Sequence, residues 1–322
     1  MPHKNLLNST SQIVALVICL ISTGMFLFGN AVKVKKNIAT VSPQLASKQK
    51  SDKIDKVAAE ISVKILDRDF LGSGFIVQQE GDRYTVVTNQ HVLRAGESPY
   101  RIQTPDGKIY SAVVADSLKS DYEYDLAVLE FRSNARYSTA KLGSSVFLEV
   151  GEPIFAAGFP YSDTQAQSQN IDSSGLAIKT GRVAVILNQA LVEGYQIAYT
   201  NDVKKGMSGG ALLNSRAEVV GINGKHAYPL WESPELYQDG SQPCPELEQL
   251  ITRSSLAIPI EKSIELHPQL NLKAKFDLDK TRESNLLSQN PQLVARMQAE
   301  AEATAKSCEN YNRDSKGDRL DL

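Results

Sequence analysis

Cysteine, tryptophan and long hydrophobic runs are all scarce in this chain, and each scarcity narrows what it can be. Three cysteines occur in 322 residues, at 19, 244 and 308, in none of the spacings of a zinc site. No metal-stapled fold is indicated, and nothing in the pattern calls for a metal or an organic cofactor. Cys19 lies inside an apolar run, which leaves Cys244 and Cys308 as the pair able to bond. A disulfide between them suits an oxidising compartment, and two unrelated free thiols suit the sequence equally. The formal net charge is only −2 with Lys and Arg dispersed, so there is no electrostatic footprint for nucleic acid. With 42% hydrophobic residues, the chain can bury a sizeable core in one large domain or two small ones.

The one long apolar run covers residues 13–28 and follows a single lysine, Lys4. Its length suits the core of a signal peptide and falls slightly short of a helix spanning a full bilayer. Gly29-Asn30-Ala31 offers a small-x-small cleavage site. Residues 1–31 therefore read as a signal peptide or an N-terminal membrane anchor, a tether by residues 13–28. Lys33, Lys35 and Lys36 behind the run argue for a cytoplasmic location of that side. The run's place near the start nonetheless favours export to an extracytoplasmic site, periplasmic or secreted. Residues 32–55 are polar, rich in Lys, Ser and Gln, and read as a linker.

Residues 56–261 have the texture of short strands. Val63-Lys64-Ile65-Leu66, Gly74-Phe75-Ile76-Val77, Tyr84-Thr85-Val86-Val87-Thr88 and Leu126-Ala127-Val128-Leu129-Glu130-Phe131 are β-rich runs. Glu80-Gly81-Asp82 and Pro105-Asp106-Gly107 punctuate them as turns. A second set runs through residues 153–158, 181–186, 211–213 and 219–222. The pattern predicts an all-β fold of two tandem barrels or sandwiches, about 57–148 and 149–261. An insertion at about 227–253, with four prolines, breaks the second set, and Pro245 to Arg253 within it reads as a short helix. Residues 262–322 read as a C-terminal extension. Ser284 to Leu287 and Pro291 to Lys306 have helical texture, and the last residues are polar and unstructured by composition.

Gly206-Met207-Ser208-Gly209-Gly210 carries the chemistry. A serine hydroxyl attacks a carbonyl only when a base takes its proton and donors receive the oxyanion. Glycines around it let backbone N–H groups approach a substrate carbonyl. The pentapeptide also fits the G-x-S-x-G elbow of an α/β-hydrolase, which needs the order Ser, acid, His. Of the four histidines, only His226 and His267 follow Ser208, and neither sits on a strand-end loop behind a suitable acid. His91 ends a β run in Thr88-Asn89-Gln90-His91-Val92, and Asp125 directly precedes the apolar strand Leu126-Ala127-Val128-Leu129. An aspartate so placed can accept the second imidazole N–H and fix its tautomer.

These segments, with Gly72-Ser73-Gly74-Phe75-Ile76-Val77, Gly221-Ile222-Asn223 and Ser255-Leu256-Ala257-Ile258-Pro259-Ile260, resemble the trypsin/chymotrypsin-like serine peptidases. The likeness is to the bacterial trypsin-like and HtrA/Deg-like branch, and it covers roughly two thirds of the chain. It implies two six-stranded antiparallel β-barrels with the site in the cleft between them. It further implies His91 as general base, Asp125 as orienter and Ser208 as nucleophile, with Gly206 and Ser208 N–H groups as the oxyanion hole. Ser255, Leu256 and Ala257 correspond to an edge strand that pairs with an extended substrate. Asp202, six residues before Ser208, would favour Arg or Lys at the cleaved position if its carboxylate were buried, while Lys204 and Lys205 suit a pocket rim. No PDZ module is expected after Ile260, and no activation cleavage site is evident. The expected activity is a serine endopeptidase acting on extended polypeptide at an extracytoplasmic face of a bacterial membrane. The competing reading is a catalytically silent scaffold that binds peptides or partner proteins through its edge strand.

Overall fold

A computed structural model describes residues 43–115, 123–161, 175–228, 235–267 and 291–317. Twelve strands among them close into two antiparallel six-stranded barrels. The first contains β1 (Ser62–Leu66), β2 (Phe70–Glu80), β3 (Arg83–Thr88), β4 (Tyr100–Gln103), β5 (Ile109–Val114) and β6 (Ala127–Arg132), in the order β1-β2-β3-β6-β5-β4. The second contains β7 (Pro153–Gly158), β8 (Ala177–Ile186), β9 (Ile197–Tyr199), β10 (Ala211–Leu213), β11 (Val219–Lys225) and β12 (Ser255–Pro259), in the order β10-β11-β12-β9-β8-β7. The all-β architecture implied by the resemblance is therefore observed.

Why the strands read as nearly continuous apolar runs follows from their two faces. Successive side chains of a strand point to opposite sides. Tyr84 and Val86 of β3 fill the first barrel with Val63, Ile65, Ile76, Ile102, Leu129 and Phe131. Val87, between them and His91, faces the other way, into a layer shared with Phe75, Val128, Leu213, Ile222 and Ile258. Leu212 and Val220 fill the second barrel with Ile154, Val183, Ile197, Tyr199 and Met207. Each barrel thus buries its interior and one outer wall, and the shared layer joins the walls. Strands with both faces covered lose the polar alternation of a half-exposed sheet.

Among the described residues, five α-helices accompany the barrels. Helix α1 (Pro43–Ile61) occupies residues read as linker from composition. Its Ile54, Ala58 and Ile61 recur at helical spacing and are buried in the shared layer. The polar texture of this stretch belongs to the outer face of a docked helix, which corrects the linker reading from residue 43 onward. Helix α2 (Gln90–Arg94) is a single turn after β3, and α3 (Pro245–Thr252) lies in the insertion where a short helix is expected. Helix α4 (Ile260–Leu266) follows β12, and α5 (Pro291–Gly317) runs further than the helical texture to Lys306 suggests. Residues 13–28, Trp231 and residues 284–287 lie outside the described residues. Among those described, no helix is long and apolar enough to cross a membrane.

A disulfide joins Cys244 to Cys308, settling the pairing that the sequence leaves open. It fastens α5 to the residue before α3, and Arg253, at the other end of α3, pairs with Glu300 of α5. Val294 of α5 is buried, and Gly151 packs directly beneath it. The crosslink spans 64 positions, for which loop-closure entropy gives at most about 4 kcal/mol. Replacing both cysteines by serine should lower the melting temperature by about 5–15 °C and speed proteolysis between residues 268 and 317. An unchanged melting curve would contradict a stabilising clasp.

Candidate active site

His91 is the second residue of α2, a helix that begins immediately where β3 ends. Its side chain is 41% exposed, so one ring edge faces the surface while the other faces inward. Asp125 precedes β6 and is only 1% exposed. Its neighbours hold it firmly. The backbone N–H of Asp125 donates to Glu193 O at 2.9 Å, and Asn89 Nδ2 donates to Asp125 O at 2.8 Å. His91 N donates to Oδ1 at 2.7 Å, and His91 Nδ1 lies 2.5 Å from Oδ2. Tyr195 Oη donates to the same Oδ2, also at 2.5 Å.

Burial by itself would raise the carboxyl's pKa. The hydrogen bond and charge of His91, the Tyr195 hydroxyl and the His91 backbone N–H outweigh it, and Asp125 is held below the ordinary carboxylate range. An ionised Asp125 is an acceptor only, so the proton between the two residues belongs to His91 Nδ1. In the neutral imidazole that assignment makes Nε2 the unprotonated nitrogen, the one able to accept a proton.

Ser208 comes from the second barrel, and among the described residues it makes no hydrogen bond to His91; its loop is fastened to the end of β3 instead. Thr88 Oγ1, three residues before His91, donates to Ser73 O at 2.6 Å, and Ser73 N donates to Ser208 O at 2.9 Å. The β2 backbone therefore bridges the end of β3 to the serine loop. Ser73 Oγ donates to Gly206 O at 2.7 Å and accepts from Phe159 N at 2.8 Å. With its carbonyl tied inward, Gly206 adopts φ +92°, and a Cβ there would approach Phe159 O to 2.7 Å. Only glycine satisfies both conditions. Among the described residues, no backbone carbonyl accepts from the N–H of Gly206 or Ser208. The Ser208 hydroxyl donates to Gly224 O at 2.9 Å.

The substrate-facing residues named from sequence need correction. Strand β12 is not an edge strand: Ser255, Leu256 and Ala257 pair with β9 on one side, and β11 covers the other. All three are buried, so their backbone has no free side to offer an extended peptide. The segment beside the serine is instead the end of β11, where pairing with β10 stops at Ile222 and Gly224 meets Ser208. The sequence signal was the continuation of Gly221-Ile222-Asn223 into Gly224-Lys225.

Asp202 also lacks the burial that a pocket for Arg or Lys demands. Its side chain is 68% exposed and pairs with Lys204 at 2.7 Å. Lys205 Nζ sits 5.5 Å from the ring centre of Tyr161. His226 and His267 direct Nδ1 to the carbonyls of Ala227 and Ser263 respectively. No group of three or more metal-ligating side chains is assembled among the described residues. Tyr195 is the site neighbour that sequence reasoning missed. Its partner lies 70 residues away, and no local motif announces it.

Residues 72–222 match a trypsin-like peptidase domain model. Over 154 residues the chain is 32% identical to Serine protease HTRA4 of Homo sapiens, covering 48% of this chain and 30% of that protein. It is 31% identical over 153 residues to Serine endoprotease DegS of Escherichia coli strain K12, covering 48% and 39% respectively. Against Serine protease HTRA2, mitochondrial, of Bos taurus it is 33% identical over 152 residues, covering 47% and 31%. The chain thus spans between about three tenths and two fifths of the length of these relatives. With its paired six-stranded barrels and the match at residues 72–222, the chain contains a trypsin-like peptidase domain, similar over that region to Serine protease HTRA4 and Serine endoprotease DegS.

Proposed function

We propose that this chain is a serine endopeptidase that cleaves extended polypeptide through an acyl-enzyme on Ser208. The observation that carries the reading is the buried Asp125 bonded to His91 Nδ1, with the Ser208 loop fastened to Thr88 through Ser73. In the proposed reaction, Ser208 Oγ forms a bond to the scissile carbonyl carbon while His91 Nε2 takes its proton. The carbonyl oxygen becomes an oxyanion, received by the N–H groups of Gly206 and Ser208. The C–N bond then breaks, His91 returns the proton to the leaving amine, and water releases the acyl group by the reverse sequence. No metal or cofactor enters these steps.

An extended substrate would pair with the end of β11 near Gly224 to His226, as an added strand. Its backbone would compete with Ser208 for the Gly224 carbonyl and so free the hydroxyl for attack. That same 2.9 Å bond favours the rival reading, a silent scaffold whose serine is engaged elsewhere. Peptide hydrolysis separates them. Ser208→Ala should lower turnover by about 10⁶-fold, and Asp125→Asn by about 10⁴-fold, with circular dichroism unchanged. A native protein without measurable hydrolysis of unfolded casein would support the scaffold instead.

The exposure of Asp202 supports a pocket that does not select basic residues. An exposed ion pair contributes little, about 0–1 kcal/mol. Asp202→Asn should therefore change kcat/KM for Arg-containing peptides, relative to Leu or Val at the same position, by no more than about threefold. A tenfold loss confined to Arg and Lys substrates would restore Asp202 as the pocket base.

The Cys244–Cys308 bond supports a location in an oxidising, extracytoplasmic compartment. Residues 13–28 would then act as the export signal or tether. Protein recovered from its host under alkylating, non-reducing conditions should carry both cysteines blocked. Alkylation of both as free thiols would count against this location.

A further inference from the structure

A buried carboxylate that orients a base must itself be oriented, and His91 alone cannot do that for Asp125. Two hydrogen bonds converge on Oδ2, one from His91 Nδ1 and one from the Tyr195 hydroxyl, each at 2.5 Å. We propose that Tyr195 is a positioning residue of the active site, holding the Asp125 carboxylate so that Oδ2 faces His91 Nδ1. The proposal rests on the triad reading of His91, Asp125 and Ser208.

The surroundings of Tyr195 are built around that hydroxyl. The side chain is fully buried, just after a 3₁₀ turn at Val192–Gly194 and before β9. Leu191 N donates to Tyr195 O at 2.8 Å, and the adjacent Glu193 O accepts from Asp125 N at 2.9 Å. The turn therefore grips Asp125 twice, by backbone and by phenol. Gly224 lies so close that any Cβ there would overlap the Tyr195 hydroxyl. The glycine beside the serine thus makes room for the tyrosine.

The charged groups nearby are balanced. Arg94 Nη2 stands 3.8 Å from Asp125 Oδ1 and 3.2 Å from Glu193 Oε1. Lys225 Nζ lies 5.0 Å from the Tyr195 ring centre and 2.9 Å from Glu235 Oε1. Glu193 Oε2 is 3.9 Å from Lys225. Burial, followed by the negative charge of Asp125, keeps the phenol protonated well above the ordinary tyrosine range. Tyr195 is therefore a permanent donor, and a hydrogen bond from it to an ionised acceptor is of the strong, charge-assisted kind. Because it arises from the second barrel and Asp125 from the first, it also couples the triad to correct docking of the two.

Tyr195→Phe in the full-length protein removes the hydroxyl and keeps the ring. Expected is a fall of about 10- to 100-fold in kcat, with KM within about twofold. The acidic limb of the pH–rate profile should move to higher pH. Without its second donor the carboxylate keeps more negative charge and favours the protonated, inactive imidazole. In parallel, the Nδ1 proton resonance of His91 in the NMR spectrum should shift. On an Asp125→Asn background the same change should cost less than about twofold, since the interaction it removes is already altered.

An unchanged rate would overturn the proposal. So would a slower enzyme whose acidic limb and Nδ1 resonance stay in place, or an undiminished penalty on the Asp125→Asn background; both mark a merely structural tyrosine. Should the native protein hydrolyse no peptide, the proposed reaction fails, and the Nδ1 resonance still decides the role of Tyr195.

Discussion

Everything at the site depends on keeping one carboxylate charged where water barely reaches. Asp125 is almost wholly buried, and an unpaired ion in such a place costs several kcal/mol. The molecule meets that cost with three donors from two separated segments: the ring and the backbone N–H of His91 in α2, and the Tyr195 hydroxyl behind the 192–194 turn. Each donor also fixes a direction. The carboxylate consequently behaves as a template, and the imidazole it holds inherits a defined tautomer.

Two barrels are the structural answer to that requirement. One barrel could carry His91 and Asp125, which both stand at strand ends of the first. The serine loop and Tyr195 come from the second. Their meeting is enforced by the apolar layer in which Val87, Val128, Leu213 and Ile222 pack against each other, and by the Thr88–Ser73–Ser208 chain across it. Displacing that layer would disturb Ser208 and Asp125 at once. Helix α1 contributes to the same layer through Ile54, Ala58 and Ile61, and α5 is fastened to the residue before α3 by the disulfide.

Much of this was legible in the sequence because the chemistry is written in short contiguous motifs. Thr88 to Val92 ends one strand, Asp125 opens another, and Gly206 to Gly210 encloses a serine; each needs only local rules. The strands of β3 and β6 were visible as apolar runs because both their faces are covered. Strands β4 and β5 were not singled out, since Arg101, Gln103 and Ser111 dilute the pattern and most of β5 stays exposed. What depends on long-range pairing escaped. That β12 is enclosed between β9 and β11 cannot be read from Ser255-Leu256-Ala257 itself. Tyr195 looked like one of twelve tyrosines, because its partner is set by the fold. Asp202 was ambiguous for the same reason, as spacing from the serine does not say which way a side chain points. The helix at residues 43–61 was hidden by its polar outer face.

The central claim is that Ser208 is a nucleophile activated by His91 and Asp125. Treating the native protein with a fluorophosphonate and mapping the adduct by peptide mass spectrometry tests it most directly. The account predicts a single stoichiometric adduct on Ser208, absent after prior denaturation. A native protein that forms no adduct there, or forms it on another residue, would contradict the account.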